Sequence, residues 1–337
     1  MFFFDPPPSD THTHTDKCAV ESSQEGFDKW LDMCQNQHGH SALNLVGAAT
    51  SKNGPPPFGL RKGSARVNDR PGMAFGCVTI AERHMTKGTE HENIMRKQDL
   101  GAQWFISQAV YDVEATIKLL NDYGDLCRSR GLSPKKVVLT FAPCGRKKTM
   151  TFIKWLGIKV PAAVEEAILS NAPDPGSSLI PAKQAKTMSA EAQAERKAKI
   201  AEVQAAAAVS VATCVRVLSG CLESILDQTA MSGVPLSINV ESVSIYKEEI
   251  DAAHTLFQVL QRKLLDHRAR LWSVRWADVH LANSVAAQQG NNSDGSGSSK
   301  GKELNPLPLV ASAAAGAALT AIAMVYLVPA SRVVRRA

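Results

Sequence analysis

Residues 104–145 read WFISQAVYDVEATIKLLNDYGDLCRSRGLSPKKVVLTFAPCG, and this stretch decides the fold. Two short apolar runs rich in β-forming residues, 104–110 and 137–142, flank a segment with helical periodicity. The apolar stripe of this helix comprises Val113, Ile117, Leu120 and Leu126, and Gly131 follows it as a stop signal. A strand, an amphipathic helix and a second strand in this order predict a βαβ unit with a right-handed crossover.

Three further apolar runs extend this pattern along the chain. They are residues 42–49 (ALNLVGAA), 73–80 (MAFGCVTI) and 236–243 (LSINVESV). Hydrophobicity within the runs is nearly continuous, which is typical of parallel strands buried on both faces. Further helical patterns occupy 146–156, 200–228 and 247–264. We therefore predict an α/β protein with parallel strands in sequential order, and the family resemblance given below implies that these strands form part of a (βα) TIM-barrel-type fold.

The barrel is expected to be incomplete, because about five of the eight strands of a complete barrel are recognisable. An open parallel edge exposes unpaired backbone groups. The N-terminal 40 residues, or a second copy of the chain in a homo-oligomer, are expected to cover that edge.

Composition indicates five parts of the chain. A poorly ordered segment at 1–40 precedes the barrel part at 41–285, which contains a solvated insertion near 171–199, rich in Pro, Ser, Ala, Lys and Glu. The barrel part is followed by a linker at 286–306, an apolar segment at 307–328 and a basic tail at 329–337. The linker contains NNSDGSGSSKGK, a composition typical of flexible connections.

The apolar segment, LPLVASAAAGAALTAIAMVYLV, carries no charge over a length that spans a bilayer core as a helix. Lysines precede it and arginines follow it, as at membrane–water boundaries. We predict a C-terminal transmembrane helix that anchors the protein by its tail, with the main domain in the cytosol. The alternative is an Ala-rich helix buried in the main domain.

The overall composition excludes several classes of function. Net charge is +6 and the Lys and Arg residues are scattered rather than gathered on one predicted face, so no nucleic-acid partner is predicted. The seven cysteines lack CxxC spacing, which favours reduced, mostly buried thiols. Neither GxGxxG nor GxxxxGK[ST] occurs. His12 and His14, and likewise His84 and His91, lack an evident third ligand, so no metal site is predicted.

Polar residues concentrate where the predicted strands end, the side on which (βα) barrels hold their active sites. Glu90 and Lys97 are seven positions apart on one predicted helix, which places both on one side of it. Gln108 ends the next strand, and its amide both donates and accepts hydrogen bonds, which suits a pterin-like edge. Glu82 and Glu241 are candidate acids by location alone. These residues are predicted to converge on one site.

Two residues at the predicted strand ends, Glu90 and Cys144, also have purely structural interpretations. Glu90 opens a helix, where a carboxylate is stabilised by the helix dipole without any ligand. Cys144 follows a proline at a strand end and is either a reactive thiol or, in the favoured interpretation, a buried structural cysteine.

The run ERHMTKGTEHENIMRKQDLGAQWFISQAVYD at 82–112 resembles a segment of the methylenetetrahydrofolate reductase family. The family pattern contains H-P-E, an acidic residue seven positions before a lysine, and then G-A-x-x-x-I-T-Q-x-x-[FY]-[DE]. The later blocks LTFAPCGRKKTMTFIKWLGIKVP and INVESVSIYKEEIDAAHTLF are similar to a divergent branch of that family. The resemblance covers about two-thirds of the chain.

The resemblance implies a specific chemistry. Family members are FAD-containing barrels that reduce 5,10-methylenetetrahydrofolate with NAD(P)H, feeding one-carbon metabolism and methionine biosynthesis. By resemblance, Glu90 and Lys97 fall at flavin-contacting positions, and Gln108 falls where the folate ring is held. The expected partners are therefore FAD, NAD(P)H and a folate-type small molecule.

Departures from the family pattern leave the activity open. The family's catalytic glutamate lies in an F-E-F-F-P-P strand, and Phe3 stands at the matching position of FFFDPP. No acid stands in 44–50, where the family has R-G-D, and about two strand–helix units expected before Leu43 are not found. The catalytic residue is thus unknown. The alternatives are a flavin-dependent reductase, a catalytically inactive membrane-tethered relative that binds a folate-like ligand or a protein, and an incomplete form of an active enzyme.

Overall fold

The computed structural model describes residues 24–46, 58–173 and 189–291, with side chains described as far as residue 271. The described residues belong to two compact units, one that ends at Gln261 and one that begins at Arg262. Where it is described, the second unit consists of the C-terminal part of one long helix. The predicted linker, apolar segment and basic tail, residues 292–337, lie outside the described residues.

Five strands form one parallel sheet in the order β1-β2-β3-β4-β5, which confirms the predicted order and direction. The strands are β1 (Ala42–Leu45), β2 (Ala74–Thr79), β3 (Trp104–Ala109), β4 (Lys136–Phe141) and β5 (Leu236–Val240). No sixth strand occurs in the described residues, and β1 and β5 form the two edges there. The arrangement is consistent with part of a TIM-barrel-like fold.

Helices alternate with the strands. They are α1 (Gln24–Asp32), continued by a π-helical turn at Met33–Gln37, then α2 (Leu60–Asn68), α3 (Ala81–Lys87), α4 (Glu90–Asp99), α5 (Val113–Ser129), α6 (Lys147–Trp155), α7 (Ala162–Leu169), α8 (Ala190–Gln228) and α9 (Lys247–Asn291). The sequence pattern predicted that α8 begins at residue 200, whereas it begins at Ala190. The pattern predicted that α9 ends at residue 264, whereas it ends at Asn291. The added residues of α8, 190–199, are rich in Ala, Glu and Lys and lack an apolar stripe, so periodicity does not reveal them.

Local signals in the sequence explain several boundaries. The carboxylate of Asp112 accepts a hydrogen bond from the Ala115 amide at 3.0 Å and caps the N-terminus of α5. Gly88 separates α3 from α4 in a left-handed conformation (φ 69°), which glycine adopts without steric cost. These signals fix where the helices begin and end beside the strand ends.

The two faces of the sheet differ in character. Alternate residues of the strands form an outer face that packs under the helices, as when the Phe105 ring contacts the Tyr123 ring of α5 at a centroid distance of 6.1 Å. The fully buried outer-face side chains are Leu45, Phe75, Cys77, Phe105, Val137, Leu139 and Phe141. The residues between them form the inner face, where most side chains are only partly buried.

The inner face carries both polar and apolar side chains. The partly buried residues there include Asn44, Val78, Trp104, Ile106, Val138, Ser237 and Asn239. Gly76 leaves a space on β2 that the indole of Trp104 fills, and a Cβ at Gly76 would overlap that ring. Continuous hydrophobicity predicted strands buried equally on both faces, whereas the structure buries one face far more than the other.

Helix α8 is long and apolar enough to cross a membrane by length and composition. The same properties suit a core helix, and α8 buries Leu218, Leu222 and Ile225 against the rest of its unit. The predicted transmembrane helix is a different segment, 307–328, which lies outside the described residues.

Candidate functional site at the strand ends

Strand β3 is irregular where it reaches Gln108. Its register against β4 shifts between Ile106 and Ala109, so β3 contains one extra residue there. The Ser107 hydroxyl bridges the irregularity: it donates to the Gln108 carbonyl oxygen at 2.7 Å and accepts from the Thr140 amide at 2.9 Å. The bulge thus sets the backbone from which the Gln108 side chain projects.

Three polar side chains continue the site across β4 and β5. The Asn239 amide donates to the Thr140 hydroxyl at 3.4 Å and to the Glu241 carboxylate at 2.8 Å. The backbone connects the same strand ends, because the Val110 amide donates to the Thr140 carbonyl and the Glu241 amide donates to the Phe141 carbonyl. Gln108, Thr140, Asn239 and Glu241 therefore occupy three neighbouring strand ends. We call them the strand-end cluster.

Three polar side-chain atoms at the strand ends or on the inner face are buried and have no hydrogen-bond partner in the described chain. They are Gln108 Oε1, Ser242 Oγ and, deeper on the inner face, Asn44 Oδ1. An acceptor that is removed from water and left unpaired costs about 1–3 kcal/mol. Because that cost disappears when a donor arrives, unpaired acceptors next to a partly exposed surface favour a ligand there.

Two carboxyl groups near the strand ends have raised pKa values. Burial raises the pKa of Glu241, and the hydrogen bond from Asn239 offsets this only in part. Burial also raises the pKa of Glu82, and the negative charge of Asp112 adds to the shift, while Lys159 and Arg83 oppose it. Lys159 Nζ lies 3.7 Å from Asp112 Oδ2. Both carboxyls therefore hold a proton to higher pH than usual, a property that suits a general acid.

The structure brings Glu90 and Lys97 together, with Lys97 Nζ 3.8 Å from Glu90 Oε1. Glu90 is buried (2% exposed) and accepts hydrogen bonds from Thr79, from the Ile80 amide and from Asn93. Lys97 Nζ donates to the Val78 carbonyl oxygen at 2.6 Å, and burial lowers its pKa despite the nearby Glu90 charge. The polar atoms of both residues are thus directed to β2.

Gln108 is placed apart from that pair. The Glu90 and Lys97 contacts surround the end of β2, whereas Gln108 projects from the bulge of β3, and no hydrogen bond or ion pair joins Gln108 to either residue in the described chain. The convergence of all three on one cavity stays a prediction. The position of Glu90 agrees with the structural interpretation of this residue as a helix-opening acid that also satisfies a strand end.

Loops that follow β4 and β5 are joined by a buried carboxylate that the sequence analysis did not single out. Glu249 is fully buried and accepts from the Gly145 amide at 2.6 Å, from the Thr149 hydroxyl at 2.7 Å and from the Ser244 hydroxyl. Beside it, Arg146 pairs with Glu248 and lies over the Tyr246 ring at 4.1 Å. These contacts hold the loop that carries Glu241 and Ser242 against β4.

Cys144 is a buried structural cysteine. It is 0% exposed, its amide donates to Cys214 Sγ at 3.4 Å and its thiol lies 3.8 Å from the Tyr111 hydroxyl. Residues 24–46, 58–173 and 189–291 contain no group of three or more His, Cys, Asp or Glu side chains arranged to hold a metal ion.

A groove of about 600 Å³ lies elsewhere, between α5 and α8. Its lining comes from residues 113–118 and 220–228 and includes no member of the strand-end cluster. We place the candidate site at the strand ends, because the unpaired acceptors and the carboxyls with raised pKa values are found there.

Known proteins provide one informative comparison. No protein-family model matches the chain, and no curated protein matches it. Among solved structures, the chain is similar to an uncharacterized protein from Clostridium thermocellum that binds two copies of 5-methyl-5,6,7,8-tetrahydrofolic acid. The two are 27% identical with a TM-score of 0.53, and the similarity covers 72% of this chain and 69% of that one. This likeness is consistent with a methylenetetrahydrofolate-reductase-type fold.

Proposed function

We propose that this protein binds a reduced folate at the strand-end cluster. The observation that carries the proposal is the unpaired, buried Oε1 of Gln108 at the end of β3, two strands from the end of β5, where the Asn239 amide donates to the Glu241 carboxylate. The similarity to a protein that binds 5-methyl-5,6,7,8-tetrahydrofolic acid supports the choice of ligand.

Chemical complementarity supports the same ligand. A pterin edge presents N–H donors beside ring-nitrogen and carbonyl acceptors. Gln108 offers an acceptor and two donors, and the Glu241 carboxyl offers an acceptor or, when protonated, a donor. The partly exposed inner face gives a flat, mixed surface along which the rest of the ligand extends.

Titration calorimetry with 5-methyltetrahydrofolate tests this proposal. We expect wild type to bind, and Gln108→Ala to weaken binding on the order of 10- to 100-fold because hydrogen bonds inside a site are lost. The matched control is Gln103→Ala. Gln103 is exposed and belongs to the turn before β3, at the other end of that strand from Gln108, and its side chain bonds to Gly101 and Lys135. Equal affinities for the two variants, or no binding by wild type, would refute the proposal.

A flavin-dependent reduction of methylenetetrahydrofolate with NAD(P)H is a second candidate. The raised pKa values of Glu82 and Glu241 favour it, since each carboxyl holds a proton to higher pH than an ordinary carboxyl and can transfer it to a substrate. The bound flavin would supply the hydride chemistry. Glu90 and Lys97, as arranged, are engaged with β2 and do not fit a flavin contact, so we derive no step through the cofactor.

The absorbance spectrum of the purified protein distinguishes the two candidates. A flavin band would support the reductase, and a lower flavin content in Lys97→Ala would contradict the interpretation that Lys97 serves only the end of β2. A spectrum without the band, combined with folate binding, identifies a binding protein.

Membrane tethering by 307–328 is a separate proposal. It is supported by the uncharged length of the segment and by the basic residues on both sides of it. Deletion of 304–337 should move the protein from the membrane to the soluble fraction of cells. Unchanged fractionation would refute the tether.

A further inference from the structure

Two histidines on the outer layer of helices have adjacent rings, and each ring has an unpaired nitrogen. His84 lies on α3 and His91 on α4, and their ring centroids are 4.9 Å apart with an interplanar angle of 74°. The Nδ1 atoms of both rings are buried and have no hydrogen-bond partner in the described chain. The strand-end cluster uses neither residue.

The third helix of this layer fixes the tautomer of His84. Its Nε2 lies 2.7 Å from Asp122 Oδ2 on α5, and the His84 side chain is 0% exposed. A carboxylate accepts a hydrogen bond, so Nε2 carries the proton and Nδ1 presents a lone pair. A carboxylate that orients the far nitrogen of a histidine in this way is the usual outer partner of a metal-binding imidazole.

We propose that His84 and His91 bind a transition-metal ion, of which Zn²⁺ is the simplest example, through their Nδ1 atoms. Two imidazoles that share one ion at about 2.0–2.1 Å per bond have ring centroids roughly 5 Å apart when the angle at the ion is near tetrahedral. The observed separation matches this value. Imidazole nitrogen suits Zn²⁺, Cu²⁺ and Ni²⁺.

The surroundings allow the ion to enter and complete its coordination. His91 is partly exposed, which gives a route from solvent, and water supplies the remaining ligands. The charge of Asp122 offsets that of the ion, although Asp122 also pairs with Lys118 Nζ at 2.6 Å. A bound ion would join α3 to α4 across the turn at Gly88.

Binding of Zn²⁺ to the full-length, chelator-treated protein tests the site. We expect titration calorimetry to give one ion per chain at this site, and His91→Gln to weaken binding by about tenfold or more. His91 makes no hydrogen bond through Nδ1, so this variant is expected to fold. The matched control is His38→Gln with His40→Gln, which removes an exposed histidine pair with centroids 5.8 Å apart.

Co²⁺ provides a spectroscopic readout of the same site. Wild type and the His38, His40 control should show visible Co²⁺ bands that His91→Gln lacks, and Asp122→Asn should weaken binding by about 10- to 100-fold. The proposal is overturned if wild type binds no Zn²⁺, if His91→Gln binds it as tightly as wild type, or if only the control variant loses it.

Discussion

The two faces of the five-stranded sheet differ in the burial and polarity of their side chains. The outer face is mostly apolar and, on β1 to β4, mostly buried under the helices, with Phe75, Phe105 and Leu139 among its fully buried side chains. The inner face carries Asn44 and Asn239 and stays partly exposed. Burial of apolar area stabilises a fold, whereas partly exposed polar groups with unpaired atoms do not. The comparison indicates that stability comes mainly from the outer face, which leaves the inner face and strand ends for the ligand recognition that we propose.

The largest effect is expected from truncation on the outer face. Phe105→Ala should lower the free energy of unfolding by about 3–5 kcal/mol, because it leaves a cavity where the ring packs against Tyr123. Ile106→Ala, one residue further along the same strand, should cost less because Ile106 is partly exposed. Chemical denaturation of both variants measures the difference. A larger loss for Ile106→Ala would contradict the assignment of the two faces.

An intermediate effect is expected at the bulge. Ser107→Ala removes both hydrogen bonds of the Ser107 hydroxyl and should weaken folate binding on the order of 2- to 12-fold. Ser107→Thr keeps a hydroxyl and should restore the affinity. Calorimetric titration of the two variants with 5-methyltetrahydrofolate measures this. If neither variant changes the affinity, the bulge does not position Gln108.

The smallest effect is expected in the pH dependence of the free energy of unfolding. Burial raises the pKa of Glu241, so between the ordinary carboxyl pKa and the raised value the folded protein binds more protons than the unfolded chain. The free energy of unfolding should therefore fall as pH rises through that window. Glu241→Gln removes this contribution and should flatten the slope, leaving the similar contribution of Glu82. Denaturation across a pH series tests this, and an unchanged slope would argue against a buried Glu241 carboxyl.

The strands and their order could be predicted from sequence because hydrophobic runs and helix boundaries are local signals. The contrast between the faces could not, since it depends on which runs become neighbours. Ser107 and Thr140 illustrate the limit: they are 33 positions apart and meet only because β3 contains an extra residue.

The candidate site was predicted only in part. Gln108 was singled out as a strand-end amide for a ligand, and its Oε1 is buried without a partner in the described chain, while its role in binding stays a prediction. Glu90 and Lys97 share a helix side, as their spacing indicates, but that spacing does not tell whether a ligand or the neighbouring strand satisfies them. Glu249 lies in the first turn of a helix, and the sequence does not indicate that its carboxylate accepts three hydrogen bonds from other parts of the chain.

Hydrogen–deuterium exchange with and without 5-methyltetrahydrofolate tests the central claim most directly. We expect the ligand to slow exchange at the ends of β3, β4 and β5 and in the loops that follow them, including Val110, Gly145 and Ser242. Amides of α3, α4 and α5 on the outer layer should exchange at unchanged rates. Protection confined to that outer layer, or no protection at saturating ligand, would contradict the assignment of the strand ends as the folate site.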